Sequence, residues 1–218
     1  MATVFGYWAI KGLGQPCRLL LELAGEEYQD NRFDQLRAED VWIQEKAKNP
    51  HGLPFPNLPY YVDGDQKLTQ SSAIVRHLGR KYNMAANNDA EASQLDMLEG
   101  VVIDVRTWFF DLCYQTEEGF KAGLPEAVQR STTYCQQLNA YLGSKPWFLG
   151  DRITYVDVMA YDMLTNWREL EPKVLDGSDN LKQLVDRFEA LPNIKKYMES
   201  DRFIKPINAH MAVFGAAK

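Results

Sequence analysis

The spacing of apolar positions changes near residue 85 of this 218-residue chain. Before that point, short runs rich in β-branched and aromatic residues, typical of strands, alternate with amphipathic stretches. After it, apolar residues recur at steps of three and four, as they do along one face of a helix. The positions 95, 98, 102, 105, 109 and 112 keep this spacing, so one long helix is predicted there.

The part before residue 85 predicts the element order β-α-β-α-β-β-α. Strands are predicted over residues 3–8, 28–33, 60–62 and 66–68, and the last two flank the hairpin signal Asp63-Gly64. Helices are predicted from Gln15-Pro16 onward, more weakly over 39–48, and over 71–82. This order is compatible with a thioredoxin-like α/β domain.

The part after residue 85 is predicted to be all-α. Further helices are expected over 125–142, 181–191 and 194–199, and another begins at the capping box formed by Thr154 and Asp157. Residues 83–90 are polar and carry no period. We therefore predict domains at 1–84 and 91–218, with a linker at 85–90.

Composition excludes several classes of function. The net charge of −6 argues against nucleic acid or an anionic membrane as the main partner. No apolar run reaches 18 residues, so no transmembrane helix is expected. Cys17, Cys113 and Cys135 form no metal-binding pattern, and the three histidines are scattered, so no metal site is predicted. With no secretory signal recognised, these thiols suggest a reducing cytoplasm.

Two residues near the first helix are candidates for catalytic chemistry. Tyr7 ends the first strand and precedes the glycine-containing loop 11–14, a place where ligands collect in small α/β sheets. Its phenol could donate a hydrogen bond to an anion, or it could be an ordinary half-buried strand tyrosine. Cys17 lies in the first helical turn, where a thiol can have a lowered pKa, and is the rival candidate.

Three features could bind a peptide-like anion. Ser71 is a candidate N-cap, so the helix start could take a carboxylate, or the serine could only cap. Trp42 and Lys46 lie one turn apart and suit a second carboxylate, or they are a packed tryptophan beside a solvated lysine. Leu58-Pro59 is a candidate cis bond that would expose the backbone of Leu58, or it is an ordinary turn.

The long helix carries a second stripe beside its core positions, formed by Ile103, Thr107, Phe110 and Tyr114. This stripe is either a core aromatic face or the wall of a pocket with the Tyr114 hydroxyl at its tip. Under the first hypothesis, the charges at 104 and 106 are solvated.

Several strings occur in a characteristic order from Gly6 to about Pro206: Gly6-Tyr7-Trp8, Gln15-Pro16, Trp42 with Glu45-Lys46, Phe55-Pro56-Asn57-Leu58-Pro59-Tyr60, Leu68-Thr69-Gln70-Ser71, Leu112-Cys113-Tyr114 and Thr154-Tyr155-Val156-Asp157. In this respect the chain resembles the cytosolic glutathione transferases, specifically the mu class. The resemblance implies a thioredoxin-like domain followed by an all-α domain. It also implies conjugation of glutathione, as co-substrate and without a cofactor, to hydrophobic electrophiles.

The resemblance implies roles for individual residues. Tyr7 matches the catalytic tyrosine that activates the thiol. The positions that match glutathione-binding residues are Trp8, Trp42, Lys46, Asn57, Leu58, Pro59, Gln70 and Ser71. Asp104 matches an aspartate that reaches the glutathione of the partner subunit, and Phe55 matches the aromatic key of a homodimer. The matching electrophile-pocket positions are Ile10, Leu13, Ile103, Arg106 and Tyr114.

Departures from the family pattern limit what is carried over. The segment 34–41 is short and resembles the short-loop members known from parasitic flatworms. Residues 109–110 and 206–218 diverge, so no electrophile preference follows. Three other hypotheses stay open: a non-catalytic carrier of apolar ligands, a glutathione-dependent isomerase or peroxidase, and a thiol-disulfide enzyme that uses Cys17.

Overall fold

The computed structural model describes residues 2–34 and 41–217. A four-stranded sheet forms its first part, with β1 at Thr3–Trp8, β2 at Tyr28–Phe33, β3 at Tyr60–Asp63 and β4 at Gln66–Thr69. The strand order is β2-β1-β3-β4, in which β1 and β2 are parallel and β3 is antiparallel to both neighbours. The four predicted strands are confirmed to within one residue.

Three helices accompany the sheet: α1 at Gln15–Ala24, α2 at Trp42–Lys48 and α3 at Ser71–Lys81. Pro16 lies in the first turn of α1, where its missing N–H group costs no intrahelical hydrogen bond. The predicted helix over 39–48 begins only at Trp42, and residues 39 and 40 of that prediction lie outside the described residues.

The second part is helical as predicted, with α4 at Asp89–Cys113, α5 at Glu117–Leu142, α6 at Tyr155–Leu170, a 3₁₀ turn at Pro172–Leu175, α7 at Asp179–Glu189 and α8 at Pro192–Met198. The Asn88 side chain accepts the backbone N–H of Glu91 at 2.9 Å and so starts α4 inside the predicted linker. The domain limits themselves stay a prediction.

The predicted start of α5 at Pro125 is wrong. The helix begins eight residues earlier, because the Thr116 hydroxyl accepts the backbone N–H of Gly119 at 3.1 Å and caps it. Pro125 therefore lies inside the helix, where it removes one hydrogen-bond donor. A proline marks a helix start only when no better cap stands upstream.

Helix α6 connects the two parts. The predicted capping box is present at its start, and the buried Asp157 carboxylate accepts the backbone N–H groups of Thr154 at 2.7 Å and Phe148 at 2.8 Å. The fully buried Trp167 donates its indole N–H to the Val105 carbonyl at 3.1 Å, joining α6 to α4. The other side of α6 packs on α1 and α3, so the sheet domain meets the helical domain along α6.

Within the described residues, no helix is long and apolar enough to cross a membrane.

Candidate active site

Tyr7 lies at the junction of the two parts, at the end of β1. Its side chain is 6% exposed, and its hydroxyl oxygen accepts the backbone N–H of Leu13 at 3.0 Å. Burial raises the pKa of Tyr7 to about 12, with the Leu13 N–H opposing this rise. The phenol is therefore neutral at physiological pH, and because its oxygen already accepts a hydrogen bond, its O–H remains a donor.

Two glycines let the loop before α1 close over the phenol. A Cβ at Gly12, whose φ is +40°, would lie 2.8 Å from the Tyr7 hydroxyl oxygen. A Cβ at Gly14 would lie 2.4 Å from the Tyr7 ring. Side chains at these positions would displace Tyr7 or the loop. The run Lys11-Gly12-Leu13-Gly14 predicted a loop beside Tyr7, but not that its two glycines make room for the Tyr7 ring.

Residues 206–213 hold the same loop from the opposite side. The backbone N–H groups of Lys11 and Gly12 donate to the carbonyls of Pro206 at 2.8 Å and Ile207 at 2.9 Å. The same segment reaches α4, since the Ala209 N–H donates to the Tyr114 hydroxyl at 2.9 Å. The position of Tyr7 therefore depends on residues two hundred positions away in sequence.

A cavity of about 220 Å³ opens beside Tyr7 and is lined by Tyr7, Ile10, Gly12, Leu13, Phe110 and Tyr114. Three residues predicted to form the electrophile pocket, Ile10, Leu13 and Tyr114, therefore lie around the same cavity as Tyr7. Ile103 and Arg106 are not in the lining. Phe110, which the sequence placed on the same stripe without a role, completes the wall.

Arg106 is not a solvated charge, so that part of the core-face hypothesis is wrong. Its side chain is buried, because position 106 of α4 faces the interior. Burial lowers the pKa of Arg106, with the nearby Asp162 carboxylate opposing this effect. Asp104, two residues earlier, is exposed.

Cys17 cannot be the low-pKa nucleophile of the rival hypothesis. Its thiol is fully buried, and burial raises its pKa to about 12. Desolvation outweighs the helix start, because the Cys17 side chain points into the core rather than toward the cavity lining. Cys113 and Cys135 are also buried free thiols.

The role of Arg18 was not predicted from the sequence. Its fully buried guanidinium donates to the carbonyls of Ile10 at 2.9 Å and Trp8 at 3.1 Å and pairs with Asp30 at 3.1 Å. It thereby fixes the backbone that follows Tyr7. The signal in the sequence was an arginine directly before three consecutive leucines of α1.

The two residues of α2 predicted to bind a carboxylate lie in different environments, one in the interior and one at the surface. Trp42 is buried in an aromatic cluster with Phe33 and Trp8, at ring-centroid distances of 5.1 and 6.5 Å. Lys46 is exposed and has no ion pair within the described part of the chain. This arrangement is compatible with both interpretations given above, so the pair stays a prediction.

The backbone just before β3 has the geometry that was predicted for contact with a peptide-like ligand. The Leu58-Pro59 bond is cis. Leu58 is half-buried, and its backbone N–H and C=O make no backbone hydrogen bond to residues of the described ranges. Both groups are therefore available to a ligand. Asn57, next to it, is exposed.

The prediction that Ser71 caps α3 is wrong. Gln70 is the N-cap, with an unusual φ of +71°, and Ser71 is the first helical residue. Among the residues that the structure describes, no side chain caps the first N–H groups of this helix. Those groups and the Ser71 hydroxyl lie at the positive end of the helix dipole, so the anion-binding geometry persists although the cap assignment changes.

Two family models match this chain: the N-terminal domain of glutathione S-transferase over residues 3–80 and the C-terminal domain over residues 103–201. A glutathione S-transferase Mu 1 of Macaca fascicularis is 41% identical, and the match covers 99% of each chain. A glutathione S-transferase Mu 2 of Rattus norvegicus is 42% identical over 97% of this chain and 98% of its own. The chain belongs to the glutathione S-transferase family.

Solved structures of this family share the fold. A glutathione S-transferase named Blo t 8 is 33% identical, with a TM-score of 0.87 over 97% of this chain and 99% of its own. A pi-class glutathione S-transferase of Onchocerca volvulus is 28% identical, with a TM-score of 0.84 over 97% and 100% of the two chains.

For this glutathione S-transferase, the mu resemblance is supported by relatives of that class along nearly the whole chain. The likeness to short-loop flatworm members stays a prediction, since residues 35–40 lie outside the described residues. The roles of individual site residues also stay predictions.

Proposed function

We propose that this chain conjugates the thiolate of glutathione to hydrophobic electrophiles, and that Tyr7 activates the thiol. The observation that carries the proposal is the buried, neutral Tyr7 phenol, whose oxygen accepts the Leu13 N–H while its ring lines an apolar cavity. Family membership supplies the substrate class. No cofactor is needed, because glutathione itself is the nucleophile.

The energetics of this step are within the reach of one hydroxyl. A free thiol has a pKa of about 8.5, and lowering it by about two units requires roughly 2.7 kcal/mol of preferential stabilisation. One hydrogen bond to a charged group contributes about 1.5–3 kcal/mol. Because burial keeps Tyr7 protonated, its O–H can donate to the sulfur throughout the neutral range.

Glutathione would extend from Tyr7 along the sheet edge. The uncapped start of α3, with Gln70 and Ser71, would take the γ-glutamyl carboxylate. The free backbone groups of Leu58 would pair with the cysteinyl unit. Trp42 and Lys46 would take the glycine carboxylate, leaving the sulfur beside Tyr7. Trp8 and Asn57 would flank this path.

The electrophile would lie in the cavity that Ile10, Leu13, Phe110 and Tyr114 share with Tyr7. Its apolar walls favour a hydrophobic substrate by burying that substrate's surface. Holding the electrophile against the thiolate makes the reaction effectively intramolecular, and this proximity contributes much of the rate gain.

We place the active form in the cytoplasm as a homodimer. The three free thiols of Cys17, Cys113 and Cys135 are consistent with a reducing compartment. The dimer rests on the family and on Phe55, whose ring is 77% exposed. In the dimer, the partner subunit's Asp104 would approach the γ-glutamyl amine.

Tyr7→Phe tests the mechanism. We expect kcat/KM for glutathione and an activated aryl halide to fall by roughly one to three orders of magnitude, because one donor to developing charge is lost. Glutathione affinity should change little. Steady-state kinetics near neutral pH, with calorimetric binding of glutathione, measure both.

Tyr61→Phe is the matched control. Tyr61 is buried, but its hydroxyl bonds to Lys81 and Asp63, away from the cavity. Equal activity of Tyr7→Phe and wild type would refute Tyr7 activation. Glutathione binding without turnover in the wild type would instead favour a carrier of apolar ligands. Isomerase or peroxidase substrates in the same assay series would reveal the other glutathione-dependent activities.

A further inference from the structure

The last described stretch of the chain closes into a loop around one buried side-chain amide. Asn208 is fully buried, and its Nδ2 donates to the Phe214 carbonyl at 2.8 Å. Its backbone N–H donates to the Gly215 carbonyl at 2.8 Å, and its own carbonyl accepts the Ala217 N–H at 3.0 Å. Asn208 therefore joins the two ends of residues 207–217, which we call the terminal loop.

The terminal loop fits tightly around this amide. Gly215 has a φ of +66°, and a Cβ added there would lie 3.0 Å from the Ile207 Cβ and 3.5 Å from the Asn208 Nδ2. On its other side, Asn208 faces the buried thiol of Cys113 at the end of α4. A side-chain amide is costly to bury unless it is hydrogen-bonded, so its place here is explained by the backbone geometry that it imposes.

The two residues that flank Asn208 hold two walls of the cavity in the candidate active site. The Ile207 carbonyl accepts the backbone N–H of Gly12 at 2.9 Å, and Gly12 lies on the loop before α1. The Ala209 N–H donates to the Tyr114 hydroxyl at 2.9 Å. Gly12 and Tyr114 both line the cavity of about 220 Å³, whereas Asn208 is not one of the described residues that line it.

The backbone of Asn208 sets how these two contacts are arranged relative to each other. Only one residue separates the Ile207 carbonyl from the Ala209 N–H, so the φ and ψ angles of Asn208 determine the angle between them. The side-chain bond to Phe214 and the backbone bond to Gly215 restrict those two angles. The amide therefore fixes the geometry of residues 207–209 without contacting the cavity itself.

The terminal loop has other anchors that do not involve Asn208. The Val213 N–H donates to the Cys113 carbonyl at 2.8 Å, and the Phe214 ring packs on Phe109 at a centroid distance of 6.3 Å. These contacts would keep the terminal loop attached to α4 if the amide were removed. Loss of the amide is therefore expected to change the geometry of residues 207–209 without unfolding the protein.

We propose that Asn208 is a positioning residue for the electrophile: by fixing residues 207–209, its side chain sets the separation between the loop over Tyr7 and the Tyr114 wall of the cavity. It acts through Gly12 and Tyr114 and does not touch the substrate. The inference rests on the proposed function, since the cavity that it addresses is the one assigned there to the electrophile.

Asn208→Ala removes the amide and leaves the Phe214 carbonyl without its side-chain donor. Because two walls of the cavity would then be held less firmly, we expect KM for an activated aryl halide to rise roughly three-fold to ten-fold, the effect of about one lost hydrogen bond. KM for glutathione should change by less than about two-fold, since its proposed contacts lie on the sheet domain. Steady-state kinetics with each substrate varied in turn measure both.

Calorimetry supplies a readout that does not require turnover. The probe is S-hexylglutathione, whose apolar chain would extend from the sulfur beside Tyr7 into the cavity, and glutathione is the reference. We expect Asn208→Ala to reduce the gain in affinity that the hexyl chain provides by roughly three-fold to ten-fold. The Kd for glutathione itself should change by less than about two-fold.

Asn139→Ala is the matched control. The Asn139 Oδ1 accepts the backbone N–H groups of Asn180 at 2.9 Å and Leu181 at 3.2 Å, at the start of α7 and away from the cavity lining. Loss of this amide should lower the melting temperature, as loss of the Asn208 amide should. We expect both KM values and both affinities to be unchanged, which separates positioning from stability.

A double variant tests the route through Tyr114. Tyr114→Phe removes the hydroxyl that accepts the Ala209 N–H. If Asn208 acts through this contact, the rise in KM for the aryl halide in Asn208→Ala combined with Tyr114→Phe should be smaller than the product of the two single effects. A rise equal to that product would mean that the two residues act independently, and would overturn the inference.

The remaining outcomes separate the hypotheses. A folded Asn208→Ala variant with a lower melting temperature, an unchanged KM and an unchanged hexyl gain would mean that Asn208 is only structural, and would overturn the inference. If that variant does not fold, Gly215→Ala decides, because it strains the terminal loop from the opposite side: a reduced hexyl gain supports the inference and an unchanged one overturns it. A wild-type protein that binds both ligands without turnover contradicts the proposed function, and the calorimetric comparison still decides the role of Asn208.

Discussion

At the scale of single residues, the site depends on how closely the loop backbone approaches one aromatic ring. The Leu13 N–H can reach the Tyr7 hydroxyl oxygen at 3.0 Å only because Gly12 and Gly14 have no side chains in the intervening space. The hydroxyl is thereby oriented by backbone atoms, which have little freedom to move.

Gly14→Ala should lower kcat by roughly ten-fold to a hundred-fold, because its Cβ would lie 2.4 Å from the Tyr7 ring and must displace the ring. Glutathione affinity should change less, since the other predicted contacts lie elsewhere. Steady-state kinetics measure both.

Gly100→Ala is the control for that substitution. A Cβ at Gly100 would meet no atom of residues 2–34 or 41–217 within 4 Å, and the residue lies inside α4. We expect unchanged kinetics and a gain in stability of about 0.5–1 kcal/mol. Equal kinetic effects at the two glycines would contradict the steric argument.

The sequence predicts Tyr7 and Tyr114 as candidate site residues by position, and the family resemblance adds Leu13, but neither reveals the burial of Arg106 and Asp162. Helical periodicity assigns charged residues to the solvent side by default. Whether a charge is instead compensated inside depends on which other elements pack against it, and those elements are distant in sequence. Arg106 was therefore misassigned under the core-face hypothesis.

At the scale of elements, the helix starts set the geometry, and capping chemistry predicts them unevenly. The Thr154–Asp157 box is legible in sequence because both partners lie within one turn. The start of α3 could not be predicted in this way, because Gln70, a residue with positive φ, occupies the N-cap position that was expected for Ser71. Similarly, Pro125 obscured the earlier cap at Thr116.

Asp157→Ala should destabilise the protein by roughly 3–5 kcal/mol, because buried donors of Thr154 and Phe148 lose their acceptor. Chemical denaturation monitored by tryptophan fluorescence measures the change.

Asn88→Ala supplies the comparison at the start of α4. Its cap is exposed, so water can replace it, and we expect a loss of only about 1 kcal/mol. If Asp157→Ala and Asn88→Ala lowered the free energy of unfolding by the same amount, burial would not be the reason that the α6 cap is stabilising.

At the scale of the whole molecule, a change in hydrophobic period was enough to separate the sheet domain from the helical one, because the two periods differ. It could not place α6 as the connection between them. That position follows from long-range packing of α6 on α1 and α4.

Phe55→Ser tests the proposed assembly. We expect a shift from dimer toward monomer in analytical ultracentrifugation, because an aromatic ring that is 77% exposed in the monomer would lose its buried place in the partner. Ile43→Ser is the control, since Ile43 is also exposed, at 55%, but has no predicted place in the interface. A Phe55→Ser variant that remains dimeric would contradict the proposed key.

The pairing of the 11–14 loop with residues 206–213 also orders events during biosynthesis. Tyr7 is translated seventh, but the carbonyls that anchor the loop beside it are made about two hundred residues later. While the chain is still growing, the sheet domain can fold on the ribosome, yet its loop over Tyr7 lacks these anchors. A nascent or prematurely terminated chain ending before residue 206 would therefore carry Tyr7 without the completed candidate site.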